Sequence, residues 1–76
     1  MNKRIKQLAE QAGFVFWQNE SWGPGPGNID WGGDYKDEFA EFVRLLVNES
    51  AYVAAVHSGA AAEVGNIIKQ HFGVEQ

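Results

Sequence analysis

Residues 22–33, Trp-Gly-Pro-Gly-Pro-Gly-Asn-Ile-Asp-Trp-Gly-Gly, constrain the fold of this 76-residue chain more than any other segment. Five glycines, two prolines and two tryptophans fall within these twelve residues. Proline fixes φ and has no amide donor, and glycine frees the backbone to enter φ > 0, so no helix or long central strand runs through. Tryptophan is costly to expose. Trp22 and Trp31 must therefore either pin the loop to a core or present a recognition surface. The segment reads as a loop over about residues 18–33, set between flanks with helical periodicity.

The flanks predict a mainly α fold: a small three-helix domain, 1–76, carrying this Gly/Pro/Trp-rich loop. The first helix is expected over about 3–12, with Asn2 as N-cap and Ile5, Leu8, Ala9 and Ala12 on one face. Gly13 then supplies a left-handed cap, and Phe14 is the apolar residue that folds back on the helix. Phe14-Val-Phe-Trp17 is β-prone and faces Ile29-Asp-Trp31 across the loop, a pairing that would make a short two-stranded ribbon. The second helix is expected over about 35–57, capped by Asp34, with Asp37 and Glu38 suiting the positive end of its dipole. Phe39, Phe42, Val43, Leu46, Val53 and Val56 form its expected core stripe, widened by Leu45 and Val47. The third is expected over about 60–72, with Ser58 as its cap. Ala61, Val64, Ile68, His71 and Phe72 share a face, and Gly73-Val74 close the helix.

A domain this short buries roughly 60% of its unfolded surface, so its core is thin. With apolar residues spread around much of the second helix, self-association into a dimer or small oligomer is expected. Cysteine is absent, which removes disulfides, thiolate metal sites and a cysteine nucleophile. The N-terminal segment has no apolar h-region for a signal peptide, and no apolar run approaches the ~18 residues of a membrane span. Net charge is −4, with six carboxylates in residues 30–50 against Lys36 and Arg44. Lys3, Arg4 and Lys6 are too small a basic patch to suggest nucleic-acid binding.

The ends of the chain carry a resemblance. Met1-Asn-Lys-Arg-Ile-Lys-Gln-Leu-Ala-Glu-Gln-Ala-Gly-Phe14 resembles the opening of a large group of short accessory proteins of tailed bacteriophages. The central helix Phe39-Ala-Glu-Phe-Val-Arg-Leu-Leu-Val-Asn-Glu-Ser50 and the closing Ile67-Ile-Lys-Gln-His-Phe-Gly-Val-Glu75 are similar to later blocks of that group, in the same order. The three blocks cover roughly half the chain. The resemblance implies an accessory protein acting in the cytoplasm of an infected host, and it implies no particular chemistry. Residues 15–34 do not look like a shared block, so a common helical frame would leave specificity to the loop.

Candidate chemistry elsewhere has simpler structural explanations. His57 and Ser58 adjoin at a helix junction, but sequence neighbours rarely reach the geometry of a base and its nucleophile. His71 reads as a packing residue, and a His57–His71 zinc pair has no helical i,i+4 support. Asp30, Asp34, Asp37 and Glu38 lack calcium-loop spacing and read mainly as helix-capping acids. Pro24 and Pro26 remove the amides that a phosphate-cradling loop at Gly23, Gly25 and Gly27 would need. No catalysis, metal or cofactor is therefore expected.

The expected binding residues lie on the loop: Trp22, Trp31, Asn28 and Asp30. The expected function is to bind and blunt a host protein of antiviral defence. Two alternatives stand beside it. One is a sponge for a nucleotide immune signal, with Lys3, Arg4 and Lys6 meeting phosphate and a tryptophan stacking on the base. The other is a structural or morphogenesis accessory.

Overall fold

The computed structural model describes residues 1–59 and 62–74. It is a mainly α fold of three helices: α1 Lys3–Ala12, α2 Lys36–Ser58 and α3 Ala62–Phe72. The expected Ala60 and Ala61 at the start of α3 lie outside the described residues. The chain divides into two compact units, Met1–Phe42 and Val43–Gln76, with the boundary inside α2.

Both ends of α1 follow from local chemistry. Asn2 lies outside helical φ/ψ, and its Oδ1 accepts from the amides of Arg4 at 2.9 Å and Ile5 at 3.2 Å. Two of the four unpaired N-terminal donors are thereby satisfied. At the other end Gly13 adopts φ 107°, a left-handed conformation that side chains resist. Its amide donates to Glu10 O, and the Phe14 amide donates to Ala9 O, the paired bonds of a Schellman closure. The same pair ends α3, from Gly73 to Gln70 O and from Val74 to Lys69 O. Asn2→Ala is expected to lower stability by about 1 kcal/mol, read by thermal unfolding. The loss should arise in the first turn of α1, where both bonds of the Asn2 side chain end.

Just ahead of α2, Asp34 Oδ1 accepts from Lys36 N–H at 3.2 Å, but Tyr35 O takes the first helical bond, from Phe39 N–H at 2.8 Å, so the N-cap position falls to Tyr35, one residue after the expected Asp34. Ser58 is the last residue of α2, and its Oγ donates back to Ala55 O at 3.4 Å, while its expected cap of α3 falls where the start of that helix lies outside the described residues. A serine in the last turn of a helix commonly bonds back to a carbonyl three or four residues earlier.

Phe14 turns back onto α1, and this seeds the first unit's core. Ala9, Phe14, Phe16 and Ile29 are buried together, with Ala12, Tyr35 and Phe42 against them. Leu8 is also buried, so the expected α1 face is the inward one. The ribbon reduces to one antiparallel bridge, Phe16 with Ile29. Trp17 N–H donates to Asn28 O at 2.9 Å, and Asp30 N–H to Val15 O at 2.8 Å. Pairing stops there because Pro24, Pro26 and their glycines fill the connection, and a longer isolated ribbon has little to hold it.

The second unit pairs the C-terminal part of α2 with α3. A Cβ on Gly65 would lie 3.1 Å from Ala51 O, so glycine is what lets these helices approach. Val47 and Ala51 are the buried residues of α2. The expected core stripe is corrected here: Phe39, Val53 and Val56 are exposed. Apolar residues surround so much of α2 that periodicity does not select a side, and the contact at Gly65 does. His71 is likewise exposed, its ring edge-on to Phe72 at 4.9 Å, and Phe72 is exposed too. The third helix is too small to enclose them.

Candidate functional site: an exposed tryptophan loop

The loop is held by its own side chains. Asn28 Nδ2 donates to Pro24 O and Gly25 O, both at 3.1 Å, and so closes the Gly-Pro turn. Asp30 Oδ1 accepts from Gly32 N–H at 3.1 Å, while Tyr35 Oη donates to Asp30 O at 2.6 Å. On the entry side Glu20 Oε2 accepts from Gln18 N–H at 2.8 Å. Gly23 lies against the indole of Trp17, where a Cβ would come within 2.7 Å of Cε3. Short polar side chains that bond to nearby backbone are the usual means of fixing such turns.

These bonds sort the expected binding residues into two kinds. Asn28 and Asp30 shape the loop backbone. Trp22 and Trp31 project from it, 80% and 70% exposed. Neither indole seals the core. Trp31 keeps edge contacts with Phe14 at 5.9 Å and Tyr35 at 6.0 Å, which fix its orientation while leaving most of it in water. Phe14 joins Tyr35 at 4.7 Å and Phe42 at 6.2 Å, so Trp31 stands at the rim of an aromatic cluster.

Beside it is a groove of about 250 Å³. Met1, Ile5 and Ala9 line it together with Trp31, Phe39 and Phe42. Every lining residue is apolar, and the volume suits one bulky apolar side chain. None of Lys3, Arg4 and Lys6 lines it. Lys6 Nζ instead sits 5.5 Å from the centroid of the Phe16 ring, and Arg4 Nη1 donates to Gln7 Oε1 at 3.1 Å. The α1 cations and the Trp31 groove are thus separate features.

Sequence reasoning missed two residues of this site. Trp17 is the platform under Gly23, and the one signal was the Gly23-Pro24 step, where a glycine leaves room for an indole to lie against the backbone. Tyr35, expected as the first residue of α2, instead clamps the loop from just before it.

A larger groove of about 820 Å³ lies in the second unit, along α2 and α3. Arg44, Asn48, Tyr52 and Val56 line it from α2, and Gly65, Asn66 and Lys69 from α3. Asn48 Oδ1 is buried there without a hydrogen-bond partner. Among the described residues no three His, Asp or Glu side chains gather as a metal site, and no helix is long and apolar enough to cross a membrane. Comparison with known protein families, characterised proteins and solved structures finds no match for the chain.

Proposed function

We propose that the protein is a non-enzymatic binding protein whose loop recognises a protein partner through Trp22 and Trp31. The observation that carries this reading is the exposure of two tryptophans on a loop whose backbone is fixed by hydrogen bonds. A preorganised aromatic loses little entropy on binding, and tryptophan is enriched among residues that dominate interface energies. The apolar groove beside Trp31 adds a socket for an anchor side chain of the partner. The resemblance of the chain ends to phage accessory proteins gives the setting: a host component of antiviral defence, met in the host cytoplasm. Self-association of the chain belongs to the same reading. A nucleotide sponge has less support, because none of Lys3, Arg4 and Lys6 lines the groove at Trp31. Nothing in the fold favours a morphogenesis role.

Trp22→Ala and the Trp22→Ala/Trp31→Ala pair test the proposal in a pull-down from host lysate. The expected result is loss of a specific host protein in the double variant. For Trp22→Ala the melting temperature should hold within about 2–4 °C, since a surface change away from structural features shifts stability by ~0.5 kcal/mol or less. A double variant that folds and retains every partner would move the site off the loop. Titration with cyclic and linear nucleotides, followed by indole fluorescence, should give no quenching beyond the inner-filter effect. Trp17 contributes to that signal as well as the two loop indoles, so the single variants are needed to assign any change.

A further inference from the structure

The large groove of the second unit has the makings of an interface. Arg44, Asn48, Ala51 and Ala55 follow one another along it at spacings of four, three and four residues. That is the period of a helix-packing seam, more apt for another helix than for a compact small molecule. Tyr52, 70% exposed, and Val56, 58% exposed, stand along the same groove. Among the described residues of this helix pair, only Val47 and Ala51 on α2 and Gly65 on α3 are buried. So small a buried set gains little against the conformational entropy that ordering two helices costs.

We propose that this face of α2 and α3 docks on the same face of a second copy of the chain, forming a four-helix arrangement with Asn48 beside the twofold axis. The inference rests on the self-association proposed above and names its surface. Two-helix hairpins laid face to face bury on the order of 800 Å² per chain, the area of a standard stable interface. In an isologous contact a residue near the axis meets its own counterpart. A carboxamide both donates and accepts, so two Asn48 side chains complete each other, and rotation about χ2 turns either atom toward the partner. In the copy whose oxygen rotates outward, the acceptor left without a partner in the single chain gains a donor from the other copy's Nδ2. A matched polar pair within the seam also fixes the register of the pairing.

Sedimentation or light scattering of the full chain from about 1 to 200 μM, with Tyr52→Glu, Asn48→Asp and Trp22→Ala alongside, tests this. Wild type should have twice the 8.4 kDa chain mass. Tyr52→Glu and Asn48→Asp should weaken the dimer at least tenfold, the first by burying a charge and the second by setting two carboxylates face to face. Trp22→Ala should leave it unchanged. Far-UV circular dichroism guards against misfolding, and Tyr52→Glu is the safer variant because the side chain is mostly exposed. A wild-type monomer at 200 μM overturns the proposal and self-association together. A dimer indifferent to both substitutions keeps self-association but rejects this face, and loss with Tyr52→Glu alone rejects the Asn48 pairing. A monomer that is stabilised by laurate, a probe with an apolar chain and an anionic head for Arg44 and Lys69, assigns the groove to a small amphiphile instead.

Discussion

Phe14→Ala is expected to lower stability by about 3–5 kcal/mol, the usual loss when a buried phenylalanine becomes alanine. The chain as a whole should have only roughly 4–11 kcal/mol, at the per-residue stability of small domains. Phe14 is buried and meets Tyr35, Phe42 and Trp31 ring to ring, so its removal takes away the hub of the first unit's core. It would also release Trp31 from one of its two aromatic contacts, and partner binding should fall along with stability. Urea unfolding followed by circular dichroism measures the first effect. Phe14→Leu, which keeps most of the volume, should recover more than half of the loss. A cost below about 1 kcal/mol for the alanine would show that the cluster does not hold this unit together.

Gly65→Val is the second change expected to have a large effect. A Cβ at this position meets Ala51 O at 3.1 Å, and that oxygen is backbone, so relief requires the helices to move apart. Added bulk in a tight contact costs about 1–3 kcal/mol, and valine has little of the helix-propensity gain that alanine would bring. Hydrogen exchange should report the loss locally, with α3 amides exchanging roughly tenfold or more faster and those of α1 little changed. Equal acceleration along the whole chain would mean that the two units unfold as one.

The two substitutions differ in how far the sequence announced them. Phe14 follows Gly13 directly after a helical pattern, and a glycine cap with an apolar residue behind it is a local device. It is therefore legible without the rest of the fold. Asn2 and the Gly73-Val74 ending belong to the same class, as does the loop itself, because proline and glycine limit φ/ψ wherever they stand. Asn28 and Asp30 were singled out for binding, yet their side chains bond to the loop backbone. Composition marked them as loop residues without distinguishing a residue that shapes a turn from one that faces a partner.

What the sequence determined by itself was thus the mainly α class, the helix limits to within about a residue or two, and the place where regular structure must stop. Only the tertiary structure decided which side of α2 is buried, because apolar residues around much of that helix make several orientations similar in energy. The deciding contact is Gly65 against Ala51, two small residues on consecutive helices whose approach leaves no periodic trace. The exposure of Trp22 and Trp31 was settled in the same way. An indole can lie on a core or stand in water. Which it does depends on whether enough apolar surface remains to receive it, and here Phe14, Phe16, Ile29 and Ala9 have already closed over one another.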